Sequence, residues 1–393
     1  LGLFLGEIMK ASVVSSDSRD SAIAGKYLAT EVGNSLSRPP GALIVFAAPQ
    51  HDHQALLSAI RKELPDTIVV GASSAGEFTN VTSGQGMACA MGLVGDDVVF
   101  SSSIGHNLAS NATAAAREIV SGFTPKPASR LPFRSALVLA DALAGHADIL
   151  VDQLTLATAG QYQFFGGGAG DNAQFQKTTV FCGEEVLSDA AVALEILSAK
   201  PLGVGVSHGW SPASRAYRVT ASDGMRVISL DGFPAIEAFE EHAEETRQKL
   251  DRKEPLPFFL HNIIGVDSGP EHRLRVPLAI DEEGAVICAA EVPVGTVIRI
   301  MRTSTESAIS AAKQAANAAL AALGGSPAAA LFFDCVATRL RMGDEFGSEL
   351  ASLQQRFSEV PLTGCNTHGQ IARAEGQFSG FHNCTAVVCV FPE

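Results

Sequence analysis

The sequence predicts an α/β protein: mixed sheets built from three repeated β-α-β-α-β-turn-β units, with helices packed on the sheets. Three observations predict it. Apolar residues make up 46% of the 393 and charged residues 18%, enough for a sizeable buried core and unlike a disordered chain. Apolar runs of strand length alternate with helix-like stretches at short spacing, the order of βαβ units. The same order of elements returns three times and closes each time on a glycine turn, and a repeat of this kind decides the fold.

Each copy opens on a β-rich stretch ending in Ser or Thr: Ala11–Val14 with Ser15–Asp17, Asp97–Ser103, and Thr296–Thr305. Helices are expected next, over Ser21–Leu36, Ala109–Phe123 and Glu306–Leu323. The last contains SAISAAKQAANAALAAL, a run of strong helix formers, and the Ser, Thr and Asp before these stretches are N-cap residues. Gly or Pro then leads into an apolar strand: Ala42–Phe46, Ala136–Ala140 and Ala329–Phe333. A second helix is expected over Asp52–Leu64, Ala147–Ala159 and Glu345–Ser358. A short strand follows that stops at Gly71, Gly166 and Gly364. Then come the turns GASSAGEF (Gly71–Phe78), GGGAGD (Gly166–Asp171) and GCNTHGQI (Gly364–Ile371). A polar hairpin leads from each into a last strand, Met87–Val94, Ala190–Leu197 and Thr385–Phe391. Chance likeness of generic α/β pieces is the competing explanation. The shared glycine, turn and following strand weigh against it.

Between the second and third copies, Lys200–Gly295 differs in character. It holds GVGVSHGWSP, an acidic helical stretch (Pro234–Leu250), the turn-rich DRKEPLP, and strand patterns near Leu274–Ile280 and Ala285–Ala290. It reads as a linking insertion that begins the second half. Residues 9–199 then form a domain of two units, and 200–393 a domain of insertion plus third unit.

A net charge of −14, with no run of Lys or Arg longer than two, argues against a nucleic-acid surface. The opening stretch, Leu1–Ile8, is apolar but short, carries Glu7 and lacks a positive leader, so neither a membrane span nor a signal peptide is expected. Met9 is the expected initiator. Seven scattered cysteines without a CxxC pair predict buried thiols in a reducing cytoplasm, not a zinc ribbon or a disulfide framework. Catalytic motifs are missing too. GASSAG lacks the G-x-S-x-G spacing of a nucleophile elbow, and there is no HExxH and no phosphate-cradling GxxxxGK[ST] loop.

The motifs resemble those of the FIST family along nearly the whole chain. The N-terminal portion is similar in VFAAP around Ala48, GASSAGEF from Gly71 and FFGGGAGDN from Phe164. The C-terminal portion is similar in LGVGVSHGWSP from Leu202, LDGFPAIEAF from Leu230 and PLTGCNTHGQI…FHNCTAVVCVF from Pro361. His382, Asn383 and Thr385 match the family's HN-x-T ending, whereas Gln370 stands where the family usually has Glu. The resemblance implies a cytoplasmic sensory module and not an enzyme. One branch of the family binds haem, senses nitric oxide and acts on a partner histidine kinase or cyclic-dinucleotide enzyme. With no output domain expected in these residues, the chain is similar to that stand-alone branch. A sensor of a small metabolite such as an amino acid, without haem, is the second reading. An enzyme using Ser74 or Cys365 is the third. A homo-oligomer is allowed for; nucleic-acid and membrane partners are not expected.

Glycine admits positive φ and close approach of backbone to a ligand, and ligands of α/β sheets favour strand ends. A pocket lined by the turns, through Gly71, Ser74, Glu77, Gly166, Asp171, Gly364 and Gln370, is therefore one expectation. The other is that the turns serve hairpins and their polar side chains cap backbone amides. For haem, His208 is the first candidate for the metal. It ends an apolar stretch beside Trp210, whose flat ring suits a macrocycle wall. A hydrogen-bonded hinge histidine is the competing role. His368, inside the third turn, is the second candidate. Cys365 is a thiolate ligand or else a buried small hydrophobe. Covalent attachment is excluded, because no CxxCH occurs.

Overall fold

The computed structural model describes residues 8–126, 128–269, 271–373 and 380–393, so most of the opening apolar stretch, 1–7, lies outside the described residues. The first copy consists of strands Lys10–Ser16, Ala42–Ala47, Ile68–Ser73 and Ala88–Val94 with helices Ser21–Ser35 and His53–Glu63. The second has strands Val98–His106, Phe133–Ala140, Gln163–Gly168 and Ala190–Ser198 with helices Leu108–Ser121 and Ala147–Ala157. Asp20, Asp52 and Ser304 cap their helices, accepting from the amides of Ile23, Ala55 and Ser307.

The third copy corrects the sequence reading at one element. Its first strand is Gly203–Ser207, not Thr296–Thr305. Strands Pro327–Cys335, Leu362–Thr367 and Ala386–Pro392 complete it, with helices Thr305–Leu323, Val336–Met342 and Phe346–Arg356. The insertion therefore starts after this strand, and Val297–Arg302 belongs to the inserted sheet. Glycine explains the placement. A Cβ on Gly203 or Gly205 would meet the carbonyl of Ala319 or Ala315 at 1.9 Å, so only a bare strand lets the alanine helix lie this close. Gly105 does the same against Ala115 in the second copy.

All three copies share one topology. The first strand pairs antiparallel with the last, the last antiparallel with the second, and the second parallel with the third. The parallel step is bridged by the second helix of the first two copies and by Val336–Met342 with Phe346–Arg356 in the third, as a crossover requires. Each six-stranded sheet is then completed by a hairpin from another copy. Glu77–Thr79 of the first copy pairs with Leu362–Thr367 of the third. Gln370–Arg373 of the third pairs with Gln163–Gly168 of the second. Val180–Cys182 of the second returns to Ile68–Ser73 of the first. The exchange closes on itself.

Period-two alternation builds the layers. Ile44, Phe46, Leu137, Leu139, Leu331 and Phe333 meet in one core shared by the three sheets. Their neighbours Leu43 and Val45, Ala136 and Val138, and Ala330 and Phe332 face outward under the helices of their own copy. The insertion forms a nine-stranded antiparallel sheet, with helix Ala235–Thr246 buried on it through Ile236 and Phe239. No described helix is long and apolar enough to cross a membrane.

Candidate functional site

Strand register makes Gly71, Gly166 and Gly364 equivalent: each lies opposite a residue of the parallel second strand, Val45, Val138 or Phe332. A Cβ at these glycines would sit 2.1, 2.0 and 1.9 Å from that partner's carbonyl oxygen. They act as spacers that let the neighbouring strands approach. The turns that follow converge and bond to one another through the backbone. Ala75 N donates to Asn366 O at 2.9 Å and Asn366 N to Gly76 O at 2.8 Å. His368 N donates to Gly168 O, Gly168 N to Gly369 O, and Gly170 N to Ser73 O. The ring so formed is closed.

Its polar side chains are mostly consumed in holding it. The Glu77 carboxylate accepts from Ser74 Oγ and, at 3.1 Å, from Met87 N at the start of the last strand. Gln370 repeats this geometry in the third copy, donating to Thr367 Oγ1 at 2.8 Å and accepting from Thr385 N at 3.3 Å. The Glu-to-Gln departure thus keeps the clamp. In the second copy Asp141 takes over, accepting from Asp189 N at 2.6 Å, while Asp171 accepts four amides of residues 174–177. Glu77, Asp171 and Gln370 are therefore not equivalent: Val180 holds the strand position that Glu77 and Gln370 occupy. Burial raises the Glu77 carboxyl to about 7 despite the Ser74 hydrogen bond.

One turn residue escapes this closure. His368 occupies the position of Ala75 and turns its ring into a cleft of about 220 Å³ between the third turn and the inserted sheet. Apolar side chains line most of it, including Leu143, Met225, Val276 and Leu278. The His368 side chain is 5% exposed and its ring stacks on Phe175 with centroids 4.9 Å apart. Its Nε2 lies 3.4 Å from Asp171 Oδ1, and among the described residues neither ring nitrogen has a hydrogen-bond partner. Burial pushes its pKa down to about 4, with Asp171 opposing, so the ring is neutral at pH 7. Asn383, which also borders the cleft, accepts from Val276 N at 3.4 Å. Arg275, 2% exposed, fastens the inserted sheet here: it reaches Asp148 at 2.6 Å, Glu291 O at 2.9 Å and Phe381 O at 3.1 Å.

A FIST N domain model matches residues 41–232 and a FIST C domain model matches residues 235–373. The chain belongs to the FIST family. FIST domains are sensory ligand-binding domains of signal transduction proteins. An uncharacterised protein of Mycobacterium tuberculosis is 24% identical over 260 residues, 65% of this chain and 67% of its own. Another, of Mycobacterium bovis, is 22% identical over 231 residues, 58% of this chain and 59% of its own. Among solved structures, cyanuric acid hydrolase from A. caulinodans aligns with 98% of this chain and 99% of its own at 8% identity and a TM-score of 0.31, too distant to carry an argument.

Of the residues predicted for a FIST ligand site, His368 is the one whose side chain reaches the cleft with free valences. His208 and Trp210 do not border it. The His208 ring accepts from Trp210 N at 3.3 Å, and Trp210 is buried among Ile263, Leu274 and Met301. Cys365 lies in the shared core, its thiol pushed well up by burial. Ser74 is spent on Glu77. The residues therefore do not fit a haem: the first axial candidate lies off the cleft, and about 220 Å³ falls below the roughly 300–1,000 Å³ that holds drug-sized ligands. Asp171 instead borders a second, polar cleft with His51, His53 and Lys177. Sequence reasoning missed Phe175, Asn383 and the inserted wall. The wall carries no local motif, and Asn383 was visible only as part of HN-x-T.

Proposed function

We propose that this chain is a FIST sensor of a small metabolite, bound in the cleft between the third turn and the inserted sheet. One observation carries the reading: a buried, neutral imidazole with two unused nitrogens in an apolar, open-mouthed hollow. An unpaired buried polar group is costly, and a ligand that bonds it recovers that cost. The ligand is largely apolar or flat, to match Phe175, Leu143 and Met225, and carries a hydrogen-bonding group for His368. The cleft joins two folding units, so occupancy changes how firmly the inserted sheet is held. That is a route to a partner histidine kinase or cyclic-dinucleotide enzyme. A thermal-shift screen of amino acids and related small metabolites tests the reading. A compound is expected to stabilise the wild type and to lose about tenfold in affinity with His368→Ala. Equal stabilisation of both proteins would move the ligand elsewhere. A Soret band in the purified protein, lost in His208→Ala, would put the haem reading first.

A further inference from the structure

The imidazole that the proposed ligand would bond is covered in this structure. Both ring nitrogens of His368 are buried, and Phe175 is stacked on the ring with centroids 4.9 Å apart and planes at 26°. A covering group has to move before a solute can reach them. Phe175 is placed to do so. It stands at the rim of the cleft, 41% exposed, on a loop outside any strand or helix.

This loop is pinned at its ends and held loosely between them. At one end Gly170 N donates to Ser73 O at 2.8 Å. At the other, Thr179 N donates to Ser73 Oγ at 3.0 Å, and Thr179 Oγ1 lies 3.1 Å from His53 Nδ1. In between, among the described residues, 172–177 make hydrogen bonds to Asp171 alone. The amides of Gln174, Phe175, Gln176 and Lys177 all donate to its carboxylate. Asn172, Ala173 and Phe175 take φ of 57°, 61° and 52°, a region that residues with a Cβ enter at a cost. One carboxylate and one ring stack therefore hold a strained segment in place.

The same loop has a second side. Gln174, Gln176 and Lys177 line the polar cleft, of about 410 Å³, while Phe175 in their midst borders the apolar one. Asp171 serves both sides: it holds the loop, borders the polar cleft and lies 3.4 Å from His368 Nε2.

We propose that residues 172–177 are a gate shared by the two clefts: a flat ligand inserts between Phe175 and His368, and the displaced loop reshapes the polar cleft. This gate rests on the apolar cleft being the ligand site, as proposed above, and adds how occupancy is passed outward. A ligand ring between phenyl and imidazole needs about 7–8 Å, twice a carbon–carbon contact of roughly 3.5–4.0 Å. From 4.9 Å the phenyl ring has to withdraw by about 2–3 Å. With four successive amides gathered on one carboxylate, that shift carries Gln174, Gln176 and Lys177 with it. All three are exposed, so the change appears at the surface.

Hydrogen exchange of the full chain without ligand tests the coupling through a mutant cycle. Phe175→Ala and His368→Ala each remove the stack, and each is expected to speed exchange at 174–177 about three- to tenfold. The double variant is expected to be no faster than either single one, because both lose the same contact. Phe175→Tyr keeps the stack and should exchange as the wild type does. Diethyl pyrocarbonate, which modifies imidazole nitrogens, reads the gate itself. His368 is expected to react faster in Phe175→Ala than in the wild type or Phe175→Tyr. Additive effects in the cycle, exchange at 176 and 177 that ignores both variants, or equal His368 reactivity in all three proteins overturns the proposal. A metabolite screen that finds no stabiliser sinks the ligand reading instead and leaves these rates as they are.

Discussion

The first and third turns are built alike and differ in what they leave open. Ser74, Glu77 and Met87 of the first correspond to Thr367, Gln370 and Thr385 of the third and are bonded in the same pairs, though Ser74 donates to Glu77 whereas Thr367 accepts from Gln370. Gly76 and Gly369, at matching places, both take positive φ, 142° and 96°. Yet Ala75 is buried and featureless, while His368 at its position faces a cleft. The repeat supplies the same frame three times over; a cleft opens where the inserted sheet stands opposite the third turn, and that turn carries His368.

Breaking the inserted sheet's anchor should have the largest effect. Arg275→Ala removes one partner of a buried pair with Asp148 and frees the carbonyls of Leu274, Glu291 and Phe381, and a loss of about 3–5 kcal/mol in urea unfolding is expected. A near-neutral result would mean that the inserted sheet is held by its apolar contacts alone. Next come the spacers shared by both turns. Gly71→Ala and Gly364→Ala each drive a Cβ into a strand carbonyl and should cost similar amounts, about 1–3 kcal/mol. A large inequality between them would weaken the equivalence of the copies.

The finest distinction is in pH, where the two turns should behave oppositely. Glu77 titrates at about 7 in the folded chain against 4.5 ordinarily, so the folded state holds the extra proton between those values. Its contribution is present below about pH 4.5 and is lost as pH rises to 7. His368 titrates at about 4 against 6.5, so the folded state holds fewer protons and stability is lost as pH falls from 6.5 to 4. Glu77→Gln should flatten the first limb and His368→Ala the second, each by an amount on the order of 1 kcal/mol. Both slopes follow from unfolding midpoints of the two variants and the wild type across pH 4–7.5. Parallel curves for a variant and the wild type would remove that residue from the account.

What was legible in the sequence follows from locality. The strand Ala42–Ala47 and its counterparts announce themselves as apolar runs before a helix, and the glycine turns as fixed spacings. Gly203–Ser207 was hidden because residues 208–304 separate it from the helix it packs on, while Val297–Arg302 sits next to that helix and imitates it. The alternating glycines facing an alanine helix were the available signal. His368 was legible as a histidine in a turn; its freedom was not, since that depends on where Asp171 and Phe175 fall.

Hydrogen–deuterium exchange of the wild type, with and without the best stabiliser from the metabolite screen, tests the central claim most directly. Slower exchange is predicted at 142–143, 276–278, 287–289, 335–337 and 368–369, on both sides of the seam. Protection confined to 51–54 and 174–179, or to 208–210, would contradict it.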